Sequence, residues 1–134
     1  MNLSIGLTIT ALYASLLTLV FLTLSINVIR LRFKLKVGLG DGGEKRLTQA
    51  IRAHGNFSEY VPLTLLLLAS YELSGANTVF LHILGATLLI GRLLHVIGLS
   101  KSMGTSAQRA AGMISTFIVL FILAIENIRY FLIS

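Results

Sequence analysis

The sequence predicts an all-α integral membrane protein, one four-helix bundle spanning residues 1–134, and three observations predict it. Of the 134 residues, 55% are hydrophobic and only 12% charged. The mean hydropathy of +0.88 is too apolar for a soluble domain of this size. Four largely apolar windows, at about 3–29, 47–73, 78–99 and 107–133, each exceed the roughly 20 residues needed to cross a hydrocarbon core of about 30 Å. The cations gather between the windows: Arg30, Arg32, Lys34, Lys36, Lys45 and Arg46 lie in the loop 30–46, and Lys101 and Arg109 flank the third connection, whereas 74–77 carries none. Because Lys and Arg mark cytoplasmic loops, both termini are expected outside, with Arg129 dissenting alone. The net charge of +6 therefore reads as orientation and headgroup anchoring, and no nucleic-acid partner is expected.

Helix one starts as an apolar run with no Lys or Arg before it and no small-residue cleavage pattern, so it is expected to stay in the membrane as a span. Its hydroxyls, including Ser4, Thr8, Thr10, Ser15, Thr18, Thr23 and Ser25, serve packing and hydrogen bonding. Arg30 follows a polar Asn27 by three residues in the last turn, which sets it apart from the snorkelling anchors Arg32 and Lys34. The stretch Gly38-Leu39-Gly40-Asp41-Gly42-Gly43 reads as a turn-rich hinge, because no strand precedes it and no Gly-Lys-Ser/Thr follows it, as a phosphate loop requires.

Helix two carries the chemistry. Arg52, Asn56 and Glu59 fall at i, i+4 and i+7, so a cation, an amide and a carboxylate share one face at the cytoplasmic boundary. Charges there cost about 2.5–3.5 kcal/mol each on insertion scales, so they turn inward, pair or mark a site. Pro62 removes one donor and crowds the Ser58 carbonyl, which predicts a kink after Glu59. Glu72 reads as a solvated helix end. Helix three places Arg92 and His95 at i, i+3, level with that cluster, where Arg92 could pair with Glu59 or meet a ligand. His82, on the outer half, is expected to make an interhelical hydrogen bond. Helix four opens Ala107-Gln108-Arg109-Ala110-Ala111-Gly112, small residues that allow close backbone approach. Arg109 could be an interfacial anchor or an anion contact near helix donors, and Glu126 with Arg129 reads as a local ion pair.

No metal site is expected, since the three histidines are scattered and no carboxylates cluster. Neither a Ser–His arrangement nor a paired acid and base stands in register. With no cysteine in the chain, disulfides and a protein thiol nucleophile are excluded. Any chemistry must borrow its nucleophile.

Arg52-Ala53-His54-Gly55-Asn56-Phe57-Ser58-Glu59-Tyr60-Val61-Pro62 resembles the helix-two signature of the MAPEG superfamily, the membrane-associated proteins in eicosanoid and glutathione metabolism. Val28-Ile29-Arg30-Leu31-Arg32, Gly91-Arg92-Leu93-Leu94-His95 and Arg109 agree with it, over nearly the whole chain and closest to small bacterial inner-membrane members. The resemblance implies a homotrimer with glutathione bound between protomers on the cytoplasmic side and a lipophilic substrate in the membrane. By position, Arg30 and Arg52 would hold glutathione carboxylates, Asn56 and Glu59 its polar backbone and amino group, and Tyr60, Arg92 and His95 the surroundings. Arg109 would stand near the sulfur as the catalytic cation. Gly55 and Leu99 depart from the family pattern, standing where some members carry a second arginine and a tyrosine. The expected function is thus a glutathione-dependent transferase, also able to act as a peroxidase, on lipophilic electrophiles. The alternatives are a lipid-binding or scaffolding protein on the same fold and a small multidrug exporter, which would need a carboxylate at mid-depth.

Overall fold

The computed structural model describes residues 6–101, 104 and 106–134. It contains four helices, α1 (Thr8–Leu35), α2 (Lys45–Leu73), α3 (Thr78–Lys101) and α4 (Ala107–Ile133). Three of them, α1, α3 and α4, are long and apolar enough to cross a membrane. The fourth, α2, has the length but carries Arg46, Arg52, Glu59 and Glu72 among its residues, so what fits it to the bundle is the packing that covers one side of it. Leu47, Ala50, Ala53, Phe57, Val61, Thr64, Leu68 and Tyr71 form that side, all buried at helical spacing.

Neighbouring helices pair as α1 with α2 and α3 with α4, and α2 touches every other helix, while α1 and α4 make no contact among the described residues. The main core runs along the bundle from Leu17 and Leu24 through Phe57, Leu68, Leu81, Leu84 and Leu88 to Val119 and Leu123. Large apolar side chains cover the outside, such as Leu19, Leu66, Ile90, Phe121 and Phe131. That arrangement suits a solvent of acyl chains.

The expected windows for α2, α3 and α4 lie within two residues of the observed helices; α1 differs. Its expected start at Leu3, and Ser4 with it, falls outside the described residues. Its end lies beyond the expected Ile29, at Leu35, so Arg30, Arg32 and Lys34 belong to the helix and the connection shrinks to 36–44. Leu31 explains the extension. It is buried against Leu47 and Ala50 in a second small core flanked by Val28, Leu35 and Val37. Apolar spacing therefore persists through the charges that end a hydropathy window.

The helix stops at Lys36, which takes a left-handed conformation (φ 57°) and donates its N–H to the Arg32 carbonyl. Loop 36–44 is tied at both ends. Arg32 Nη1 donates to the Val37 and Gly40 carbonyls at 3.3 and 2.8 Å, and the Asp41 carboxylate accepts from the Gly43 N–H and the Thr48 hydroxyl. Those two bonds hold the Asp41 carboxyl below its ordinary range, the Gly43 N–H contributing most. Gly42 and Gly43 both take positive φ, which a Cβ would oppose.

At the end of the bundle opposite loop 36–44, Glu72 departs from the expected solvated terminus. Leu7 supplies no side-chain cap to α1, and Glu72 replaces it from another helix, accepting from the Ile9 and Thr10 N–H groups at 2.9 and 2.7 Å. His82 makes the expected interhelical contact, its Nδ1 3.0 Å from the Tyr13 hydroxyl. Glu126 and Arg129 pair at 2.7 Å, with Tyr71 donating to the same carboxylate oxygen. α2 continues as helix through Pro62.

Candidate functional site

Glycines set the geometry on which the polar groups depend. α3 and α4 approach so closely that a Cβ on Gly112 would lie against the Gly91 carbonyl and 2.6 Å from the His95 N–H. At Gly98 it would stand 2.5 Å from the Arg109 backbone nitrogen and 2.6 Å from Ser106 Oγ. Ser106 caps α4 by accepting from the Arg109 N–H. The start of α4, and Arg109 with it, is thus pressed onto the glycine face of α3.

Inside the bundle lies Arg92, 0% exposed. Its Nη2 donates to Asn56 Oδ1 at 2.6 Å and faces His95 Nδ1 at 3.4 Å. Its Nη1 points to the Met113 sulfur at 3.7 Å, and the Phe57 ring sits 5.8 Å from Cζ. Arg92 Nε has no hydrogen-bond partner among the described residues. An arginine cannot shed its proton, so a cation is sealed here with neutral partners only. The acceptor at His95 Nδ1 places that ring's proton on Nε2.

The expectation that Arg92 could pair with Glu59 is corrected. Glu59 is bridged along its own helix to Arg52 at 3.4 Å, both half-exposed, and Asn56, one turn from each, turns inward to take Arg92 instead. The shared face of α2 thus divides into a wet ion pair and a buried amide.

Arg52 lines a cleft of about 80 Å³ with Arg109, Leu99, Thr48 and Gln49, so cations from α2 and α4 face one space. Arg109 Nη1 also donates to the Gly104 carbonyl at 3.4 Å. Tyr60 stacks edge-on against Phe117 of α4, 5.4 Å between centroids. Within one chain the structure therefore brings together Arg52 with Arg109, and Asn56 with Arg92 and His95. It holds Arg30 apart: Nη2 donates to Asn27 Oδ1 at 3.0 Å, and the side chain lines a separate cavity.

The family model that matches is that of the MAPEG family, over residues 10–129. Inner membrane protein YecN of Escherichia coli strain K12 is 39% identical over 122 residues, covering 91% of this chain and 92% of its own. The protein of the same name from Escherichia coli O6:H1 strain CFT073 gives the same figures. This chain belongs to the MAPEG family. As a MAPEG protein it is a membrane protein of the family associated with glutathione and eicosanoid metabolism, and its helical architecture agrees.

Sequence reasoning missed several residues around Arg92. Met113 and Phe57, which face the Arg92 guanidinium, read as ordinary core residues; only their helical register with Arg109 and Asn56 could have drawn attention. A Ser–His pair also exists where none was expected. His54 Nε2 lies 3.1 Å from Ser25 Oγ, with the Phe21 ring 4.9 Å from the imidazole. Ser25 already donates its single proton to the Phe21 carbonyl at 2.9 Å, so His54 must donate to Ser25. The pair is a structural link between α1 and α2. Among the described residues no group of three or more His, Cys, Asp or Glu is placed to hold a metal.

Proposed function

We propose that this protein binds glutathione at the cytoplasmic boundary of a bacterial inner membrane, with both termini outside, and conjugates it to a lipophilic electrophile. The supporting observation is a concentration of arginines: Arg92 sealed with neutral partners, and Arg52, bridged to Glu59, sharing one cleft with Arg109. Glutathione carries two carboxylates, one ammonium and one thiol, a charge pattern complementary to two arginines and a carboxylate.

In this reading Arg52 takes a carboxylate, and Glu59, freed from its bridge, takes the ammonium. Asn56 turns its amide to the peptide backbone over the Arg92 and His95 floor, and Tyr60 flanks the ligand. Arg109 stands by the sulfur. A free thiol with a pKa near 8.5 is mostly protonated at neutral pH, and a guanidinium favours the thiolate by about 1.4 kcal/mol for each unit the pKa falls. The thiol proton leaves to water at the boundary. The thiolate lone pair then forms a carbon–sulfur bond as the electrophile's leaving group departs with its bonding pair.

A cleft of about 80 Å³ holds about three waters at roughly 30 Å³ each, far less than a tripeptide occupies. A neighbouring copy that completed the pocket would supply the missing room, as in the expected homotrimer. The assay is conjugation of glutathione to a generic aromatic halide by the full chain in detergent or vesicles. Turnover lost in Arg109→Ala with glutathione still bound supports the role of Arg109; turnover absent in the native protein removes the transferase.

A second reading is favoured by Leu99, a buried leucine on the wall of that cleft, which supplies no hydroxyl to the sulfur. It is a protein that binds glutathione or lipid on the same fold without reacting.

A further inference from the structure

Arg92 has donors without good acceptors, and one of its neighbours can change chemistry. Of the five N–H bonds of a guanidinium, those on Nη2 serve Asn56 and face His95. Nη1 meets the Met113 sulfur at 3.7 Å, and Nε is buried without a partner among the described residues. A thioether is a weak acceptor, whereas its sulfoxide is polar and carries an oxygen. We propose that Met113 is a hydroperoxide-sensitive modification site, its thioether oxidised to a sulfoxide whose oxygen Arg92 holds inside the bundle.

Reach is the first support. Met113 is only partly buried, although the cation it touches is fully enclosed. It lies six residues beyond Ala107, the first residue of α4, about 9 Å along the helix at 1.5 Å per residue. Arg109 stands one turn before it and Phe117, 49% exposed, one turn after it on the same face. An oxidant in water at the loop end, or among acyl chains beside Phe117, thus meets the sulfur from outside while Arg92 covers it from within. The lone pair turned away from Arg92 attacks the terminal peroxide oxygen, and a sulfur–oxygen bond forms as the oxygen–oxygen bond breaks. The departing alkoxide takes the hydroxyl proton and leaves as an alcohol, or as water from hydrogen peroxide. Sulfur loses the two electrons that the peroxide gains.

The fate of the product is the second support. Oxidising a methionine in a packed interior ordinarily disrupts it, because an apolar side chain becomes polar. Here the cation beside it has neutral partners only, and the unbranched side chain, with three rotatable bonds, can swing the new oxygen to Nη1. A charge-assisted hydrogen bond then replaces a weak sulfur contact. Because Arg92 shields one of the two lone pairs, a single sulfoxide epimer is expected.

Full-length protein in micelles, treated with hydrogen peroxide or with cumene hydroperoxide and followed by peptide mass spectrometry and thermal unfolding, reads the site. The Met113 peptide should gain one oxygen, and the faster of the two oxidants names the phase from which the hydroperoxide arrives. After digestion, one of the two epimer-specific methionine sulfoxide reductases should remove that oxygen and the other should not. Oxidation should raise the melting temperature by about 3–6 °C. Met113→Leu should show no such rise, and unoxidised Met113→Gln, with an amide oxygen in place of the sulfoxide, should reproduce it. Arg92→Met should abolish both rises; where that variant does not fold, Met113→Gln carries the test alone. An unmodified Met113 peptide under both oxidants, an even mixture of epimers, or a melting temperature lowered by oxidation in the native protein would each overturn the site. So would an equal rise in Met113→Leu, or none in Met113→Gln. Neither glutathione nor turnover enters these readouts, so their failure is distinct from failure of the transferase reading.

Discussion

Replacing Asn56 by alanine tests how the buried arginine is maintained. Arg92 is fully enclosed, and its one short polar contact is Asn56 Oδ1 at 2.6 Å; the others are His95 Nδ1 at 3.4 Å and the Met113 sulfur at 3.7 Å. A hydrogen bond to a charged group contributes about 1.5–3 kcal/mol, while stripping the partner from a buried ion pair costs about 3–5 kcal/mol. Asn56 is neutral and the Phe57 face remains, so the lower range applies and Asn56→Ala should destabilise by about 2–3 kcal/mol. The double variant Arg92→Met with Asn56→Leu removes both partners and should recover most of that loss, giving a coupling of about 2 kcal/mol. Reversible denaturation in mixed micelles, followed by circular dichroism, provides the measurement. A single variant within about 0.5 kcal/mol of the native protein would refute the reasoning, because another group would then be satisfying Arg92.

Three further outcomes are expected. Gly112→Ala drives a methyl into the Gly91 carbonyl and the His95 backbone, which should cost about 1–3 kcal/mol and couple non-additively to Gly91→Ala in thermal unfolding. Glu72→Ala leaves the first turn of α1 without its acceptor and should cost about 1–2 kcal/mol, with faster amide exchange confined to Ile9 and Thr10; unchanged exchange there would contradict the cap. Asp41 has a carboxyl pKa depressed in the fold, so its stabilisation is full above the ordinary carboxylate value of about 3.9 and is lost as pH falls through the lower folded value. The melting temperature of the native protein should therefore exceed that of Asp41→Ala at neutral pH and converge on it in acid.

Much of the bundle was legible because lipid-facing helices announce themselves by length and composition, and α2 and α3 meet at the 74–77 connection that the apolar windows leave between them. The end of α1 was not, because a window average stops at Arg30 whereas the packing of Leu31 on Leu47 is a tertiary fact. The candidate site was half legible. Spacing put Arg52, Asn56 and Glu59 on one face, and the Arg52–Glu59 bridge agrees. A helical wheel has no depth, however, so it could not tell that Asn56 turns inward to Arg92 while its neighbours stay wet. Glu72 was misread for a related reason: its partners are backbone N–H groups 62 and 63 residues away, and the hint was negative, the missing cap residue before Thr8.

The account rests on a pocket that needs an anionic tripeptide, and calorimetric titration of glutathione into the full-length protein in detergent tests it most directly. Saturable binding at millimolar concentration or tighter, weakened at least tenfold in Arg52→Ala and in Glu59→Ala, is the expected result. No heat of binding at millimolar glutathione, or equal binding in both variants, would contradict it.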